Sequence, residues 1–371
     1  MIYADNAATT PIDPHVLEIC SQAMELCYGN PSSLHPIGRR AHQILEAARR
    51  TVISYFNADG YQAVFNSGGT EGDNTAIIGA MRMQAKNGKN HIVLGAMEHP
   101  AVYNMCVELA NTLGYTISLV YPGPNGVIDP ASVQRAMTRR TGLVSVSMVS
   151  NELGTIQPVA EITRVSHQGG ALFHTDAVQA VAHLPINLSK IKADVFTFTG
   201  HKIYGPKGIG CMLYKSETFP NLLHGGHQEM GVRPGTESVA QAAGLVAALE
   251  LLSGCWDGTL CTASSAATKP FLSGLEGWEC EHTFNPSGCD IVSLRVDGVR
   301  GEDAVILLGE AGLCVSAGSA CAAGSHETSR TLKAIGLTAR QAEETIRISF
   351  GRQNTAEDGT EAARIIRSVL S

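Results

Sequence analysis

Lys202 ends the strand-like run Ala193–Thr199, inside Gly200-His201-Lys202-Ile203-Tyr204-Gly205-Pro206. A lysine held there can be partly desolvated, lose its proton and act as a nucleophilic amine, as Schiff-base chemistry requires. Taken alone, a lysine is far more often a solvated surface charge. Other residues in the chain shift that balance. Ser67-Gly68-Gly69-Thr70 joins the strand Ala63–Asn66 to an amphipathic helix running through Met83. Its glycines allow close backbone approach, and a helix N-terminus offers unpaired N–H groups to a phosphate. His99 follows the strand His91–Gly95, and Asn151 follows the apolar run that begins at Leu143. Asp176 ends the strand Ala171–Thr175, with Gln179 one helical turn later. Singly, such an aspartate is usually a helix cap and such a histidine a satisfied loop residue. Phosphate cradle, planar side chain, carboxylate and lysine at successive strand ends form a set. That set matches pyridoxal 5'-phosphate, which needs an amine for its aldehyde, a carboxylate for its ring nitrogen, a flat neighbour and N–H donors for its phosphate. The turn has neither the Walker lysine nor Gly-x-Gly-x-x-Gly, which argues against nucleoside triphosphates and dinucleotides.

The elements that must position these residues alternate. After Ala63–Asn66 and His91–Gly95 come strands Thr116–Val120, Leu143–Met148, Ala171–Thr175, Asp194–Thr199 and Ile209–Tyr214, with helices over Pro100–Leu113, Pro130–Met137 and Val159–His167 between. Near-continuous apolar strands separated by helices predict a mainly parallel sheet covered on both faces, with ligands beyond the carboxyl ends of the strands. Ala240–Leu252 reads as a long apolar helix, packed in the core or at a subunit contact. The composition turns to Gly, Ser, Thr and Ala over Ser253–Lys269, which predicts a domain boundary. A second unit follows, with strands Asp290–Val296, Leu313–Ala317 and Thr345–Phe350 and helices Gly301–Glu310, Glu327–Ile335 and Thr355–Leu370. Thr355 and Asp358 have the spacing of a capping box.

The 371 residues suffice for one large core and a smaller domain, and 44% hydrophobic with 16% charged residues is ordinary globular composition. A net charge of −7 without a basic run gives no nucleic-acid-binding face. No apolar stretch reaches the roughly 18 residues of a membrane span, and the N-terminus lacks signal-peptide features; a cytoplasmic protein is expected. The ten cysteines form no Cys-x-x-Cys and no zinc-spaced His–Cys cluster, so no metal site is predicted and free, mostly buried thiols are the default. Cys321 stands apart. It lies in Ala317-Gly318-Ser319-Ala320-Cys321-Ala322-Ala323-Gly324-Ser325, whose small residues suggest a mobile exposed loop.

The motif segments run in order along nearly the whole chain. They are Tyr3-Ala4-Asp5-Asn6-Ala7-Ala8-Thr9-Thr10, Gly29-Asn30-Pro31-Ser32-Ser33, Ser67-Gly68-Gly69-Thr70-Glu71, Glu98-His99, Asn151-Glu152-Leu153-Gly154, His174-Thr175-Asp176-Ala177-Val178-Gln179, Gly200 to Gly208, Arg233-Pro234-Gly235-Thr236 and Gly318-Ser319-Ala320-Cys321. Together they resemble the NifS/IscS type of cysteine desulfurase, first subgroup, within the fold-type I, class V aminotransferase group. The resemblance implies an α/β fold, with a large domain built on a mainly parallel seven-stranded sheet (residues 14–255) and a smaller α+β domain (residues 1–13 and 256–371) carrying the cysteine loop.

It also implies roles. Lys202 forms the Schiff base with pyridoxal 5'-phosphate and later moves the substrate α-proton. Asp176 pairs with the pyridine nitrogen, and His99 stacks on the ring and shuttles protons. Gln179 and Asn151 contact the ring-oxygen side, with Asn151 also near the substrate. Gly69, Thr70, Thr199 and His201 hold the phosphate. Thr236 reaches the phosphate of a neighbouring subunit, making the active unit a homodimer. Arg347 holds the carboxylate of L-cysteine; Thr345, Arg347 and Ser349 alternate with Ile346, Ile348 and Phe350, placing Arg347 on the polar face of its strand. Cys321 takes the sulfur as a persulfide and passes it to an acceptor protein.

Some residues depart from the pattern. His224-Gly225-Gly226-His227-Gln228-Glu229 replaces a glycine-richer run, and Ala322-Ala323 and His326-Glu327-Thr328 differ from the commoner residues there. The chain stops at Ser371, where IscS-like enzymes carry a further tail that docks the iron–sulfur scaffold, which weakens the carry-over of that partner. Iron–sulfur cluster assembly, tRNA thiolation, DNA phosphorothioation and cofactor biosynthesis stay open as destinations of the sulfur. Selenocysteine lyase, cysteine/cystine C–S lyase and class V aminotransferase are the alternative activities, and a catalytically idle sulfur-carrier scaffold is the alternative from outside the enzymes.

Overall fold

The computed structural model describes residues 1–216, 219–253, 266–278, 281–286, 289–318 and 328–371. A seven-stranded sheet runs in the order Gln62–Asn66, Gly210–Tyr214, Val195–Thr199, Leu172–Asp176, Thr141–Ser145, His91–Gly95 and Thr116–Val120. Gly210–Tyr214 is antiparallel to both its neighbours, and the other pairings are parallel. The central strands His91–Gly95, Thr141–Ser145 and Val195–Thr199 are buried along their whole length. Alternate side chains enter different cores: Val93 and Val144 join one cluster, Ile92, Leu94 and Leu143 the other. A sheet buried on both faces must be apolar at every position, which is why its strands read as continuous runs.

Helix starts are written in the sequence. Pro14–Leu26, Pro36–Tyr55, Pro100–Leu113 and Pro130–Ala136 each begin with proline, and Asp13, His35, His99 and Asp129 cap them through their side chains. Val239–Ser253 is the long apolar helix; it packs against Pro14–Leu26 and Pro36–Tyr55, with Leu245, Leu249 and Leu252 buried.

A second sheet is antiparallel, in the order Ser316–Ala317, Thr345–Ser349, Ile291–Val296 and Glu281–Phe284. Its own core includes Phe271, Leu294, Ile348, Phe350 and Ile366, supplied in part by the packed helices Thr268–Leu275 and Ala356–Leu370. The capping box at Thr355 and Asp358 is formed. Ile2–Tyr3 pairs in parallel with Leu313–Cys314, and Ile2 and Ala4 enter this second core. Ala7 N still donates to Ser349 Oγ of this second sheet, and the N-terminal segment then reaches the turn after Val195–Thr199 of the first, with Thr10 N donating to His201 O and Asp13 N to Tyr204 O, all three at 2.9 Å.

Several local expectations change. The strand expected over Leu143–Met148 is Thr141–Ser145; beyond it Val146 N and Met148 N still donate to His174 O and Asp176 O, and Ser147, Val149 and Asn151 line the site. Leu313–Ala317 is two short strands pairing with different partners. The helix expected from Glu327 is Arg330–Ala334 in the described residues, capped by Ser329. The Gly/Ser-rich boundary zone lies mostly outside the described residues. Of the cysteines, Cys20, Cys27, Cys106, Cys211 and Cys289 are buried and Cys314 is half-buried, all as free thiols. No described helix is long and apolar enough to cross a membrane.

Candidate active site

Lys202 lies in a short 3₁₀ turn, Gly200–Lys202, directly after the strand Val195–Thr199. Its Nζ donates to Ala7 O at 2.5 Å and Ala8 O at 2.6 Å, so the N-terminal segment holds the amine. Lys202 lines a cavity of about 390 Å³ together with Gly69, Thr70, His99, Asn151, Asp176, Gln179, Thr199, His201 and Arg347. Eleven of the twelve residues expected at the site are Gly69, Thr70, His99, Asn151, Asp176, Gln179, Thr199, His201, Lys202, Arg347 and Thr236, and all but Thr236 meet in this one cavity. Thr236 is exposed and lines a neighbouring cleft of about 180 Å³ with Arg233 and Ser67. The twelfth, Cys321, lies outside the described residues, as does the loop expected around it.

Asp176 ends its strand almost buried, with Oδ1 accepting from Val178 N at 2.8 Å. Burial pushes its carboxyl up to about 7, Asp73 adds to the rise, and His99 opposes it. Such a carboxylate facing a cavity favours a cationic partner there. His99 caps its helix by accepting from Ala101 N at Nδ1, 3.1 Å, which assigns the proton of the neutral ring to Nε2. Gln179 Nε2 donates to Ala7 O at 2.8 Å, and Thr199 Oγ1 to Ile209 O at 3.0 Å. His201 Nδ1 lies 3.2 Å from Thr9 Oγ1; burial, then Lys202 and Lys207, lower its pKa to about 4, so it is neutral near pH 7.

Beside the cavity, Gly68, Gly69, Thr70, Thr199, His201 and Lys207 line an open cleft of about 450 Å³. Gly68 caps the helix Gly69–Ala85 with φ +148° and no side-chain cap, leaving the first-turn N–H groups free of one. A Cβ on Gly69 would lie 2.8 Å from Val178 Cγ2, so the turn packs against the loop after Asp176. Glu71 holds this turn, accepting from Ser67 N and Arg233 Nε, each at 2.9 Å. A cavity in the ordinary ligand range, an anion cradle at one end and a buried carboxylate within fit pyridoxal phosphate.

Arg347 is 2% exposed, more deeply buried than a polar strand face requires. Nη1 donates to Asn151 O and Nη2 to Asp5 Oδ1, each at 3.0 Å.

Three acids were not assigned from the sequence. Asp73 lines the cavity at 1% exposure, accepts a short hydrogen bond from Thr197 Oγ1 and lies 3.5 Å from His174 Nε2. Glu98 is buried, with Oε1 accepting from Ser147 N at 2.8 Å and Oε2 unpartnered; burial, then Asp176 and Asp73, hold its pKa well above the usual carboxylate range. Asp5 is the partner of Arg347. No local signal marks these three acids, whose places are fixed by long-range contacts.

The aminotransferase class-V family matches residues 2–360. A cysteine desulfurase of Gluconacetobacter diazotrophicus is 36% identical over 100% of this chain and 93% of its own length. A NifS-like protein of known structure superposes with a TM-score of 0.90 at 30% identity, covering 100% of this chain and 99% of that one. A structure of SspA in complex with cysteine gives a TM-score of 0.82 at 29% identity, covering 96% and 100%. With lysine, carboxylate, histidine and arginine gathered in one cavity of this fold, the chain belongs to the class-V aminotransferase family.

Proposed function

We propose that the chain is a pyridoxal-phosphate-dependent cysteine desulfurase, converting L-cysteine to L-alanine and passing the sulfur through Cys321 to an acceptor protein. The observation that carries this is the meeting of Lys202, Asp176, His99 and Arg347 in one cavity beside a glycine-rich helix start. Relatives named cysteine desulfurase span the full chain.

Pyridoxal phosphate, when bound, supplies an aldehyde for the amine and a ring that accepts electrons from the substrate Cα. Lys202 is the amine, and it also carries the α-proton. The Ala7 and Ala8 carbonyls orient its Nζ. Asp176 provides the negative charge for the ring nitrogen, and burial strengthens that interaction. His99, with its proton on Nε2, covers the ring and donates. First-turn N–H groups after Gly68 with Thr70, Thr199 and neutral His201 receive the phosphate. Arg347 binds the substrate carboxylate. The Cys321 thiolate attacks the substrate sulfur: an S–S bond forms, the C–S bond breaks, and the carbon takes the electron pair and a proton to give alanine. Thr236 serves the site of a second copy across a homodimer contact.

The experiment is direct. The purified protein is expected to absorb in the visible, and to form alanine from L-cysteine with an equal amount of persulfide or released sulfide. Lys202→Ala should lose the lysine-linked band and turnover. Normal turnover by that variant would refute the reading.

A further inference from the structure

We propose that Asp5 is a positioning residue that fixes Arg347 and weakens its hold on the substrate carboxylate, so that the product can leave. This rests on the reading of Arg347 as the carboxylate-binding group. Arg347 is almost wholly buried in the cavity wall. Its two Nη groups are tied to Asn151 O and Asp5 Oδ1, both at 3.0 Å, while Nε has no acceptor. The guanidinium is therefore fixed through its two Nη groups, while its buried Nε is left without an acceptor.

Asp5 is itself built into the sheet that carries Arg347. Ala4 N donates to Cys314 O at 2.9 Å and Asn6 N to Ser349 O at 3.0 Å, and Asp5 makes a parallel bridge with Ser349. Ser316 Oγ donates to the same Oδ1 at 2.7 Å. Two donors on one oxygen determine which edge of the carboxylate faces Arg347. An isosteric asparagine would keep its amide oxygen there and lose only the charge.

That charge has a consequence for ligands. A guanidinium already balanced by one carboxylate attracts a second less strongly, because the two anions repel across it. L-Cysteine and L-alanine carry the same carboxylate, so a site that held it without this counterweight would retain product.

The test uses the cofactor-loaded wild type and Asp5→Asn. Dissociation constants are read from the visible spectrum for L-alanine and for ethylamine, which is alanine without its carboxylate. Asp5→Asn should bind L-alanine about tenfold tighter and ethylamine within about twofold of wild type. Unchanged or weaker L-alanine binding overturns the inference, as does equal tightening of ethylamine. If Asp5→Asn fails to fold, the wild type still decides: L-alanine should bind less than about a hundredfold tighter than ethylamine, and a larger ratio overturns the inference. A wild type with no cofactor band removes the functional reading and this inference together; a wild type with the band and an unresponsive variant removes only the inference.

Discussion

Glu229 grips Arg49 with both oxygens, Oε2 to Nη1 at 2.8 Å and Oε1 to Nη2 at 3.0 Å, and both side chains are buried. Glu229 Oε2 also accepts from Phe65 N at 2.8 Å, on the strand that leads into the glycine-rich turn. Glu229 and Met230 take φ of 47° and 59°, a left-handed stretch that non-glycine residues rarely adopt. The ion pair thus pins a strained segment of the His224–Glu229 departure to the strand beneath the phosphate cradle.

Removing one partner of a buried pair leaves the other charge uncompensated. Glu229→Ala should lower stability by about 3–5 kcal/mol, read as a shift in urea midpoint at constant slope. A loss under about 1 kcal/mol would show that Arg49 finds water instead.

Asp176 gives a pH signature. Its folded pKa, raised to about 7 by burial and then by Asp73, exceeds the unfolded value of ~3.9. Between those values the folded protein binds the extra proton, so stability is lost as pH rises through the window. In the cofactor-free protein, Asp176→Asn should be more stable than wild type at pH 8, on the order of 2 kcal/mol, with the gap closing toward pH 4. The same variant should lose turnover by roughly 10²-fold, because the ring nitrogen loses its counter-charge. A stability gap that ignores pH would mean the carboxylate is not opposed by its surroundings.

The homodimer proposal is tested by complementation. Thr236→Asp places a negative charge where the partner's phosphate is proposed to lie, and Lys202→Ala removes the amine. Each homodimer should be inactive. A mixed dimer would hold one site with Lys202 intact and Thr236 donated by the other chain, and should regain about half the wild-type activity per dimer. No recovery in purified mixed dimers rules out shared sites.

Residues set by local rules were legible in the sequence. The Gly68-Gly69 turn, the proline-started helices and the buried strands each follow from φ preference, capping or continuous apolarity, and strand ends then place Lys202, Asp176 and His99 together. Arg347 was legible by alternation, but its burial was not, because that depends on Asp5 some 340 residues away in sequence. Asp73 and Glu98 were missed for a related reason. Nothing local distinguishes a buried acid from a solvated one, and only the packed sheet brings them beside Asp176. Strand Glu281–Phe284 was missed because its short run, broken by His282 and Thr283, has no apolar period.

The assignment of Cys321 rests on Gly318-Ser319-Ala320-Cys321 alone, and its variant separates two chemistries. If Cys321 is the sulfur acceptor and no part of the cofactor site, Cys321→Ala should keep the visible band, the dimer and the spectral change on adding L-cysteine. It should lose persulfide and nearly all alanine, because the attacking thiolate is gone while every group that binds and deprotonates substrate remains. Reductant should accelerate the wild type by clearing the persulfide and should not rescue the variant. A lyase would behave otherwise, since its C–S bond breaks without a protein thiol. Sulfide and alanine released from L-cysteine at the wild-type rate by Cys321→Ala would therefore replace the desulfurase reading with a C–S or selenocysteine lyase working from the same cavity.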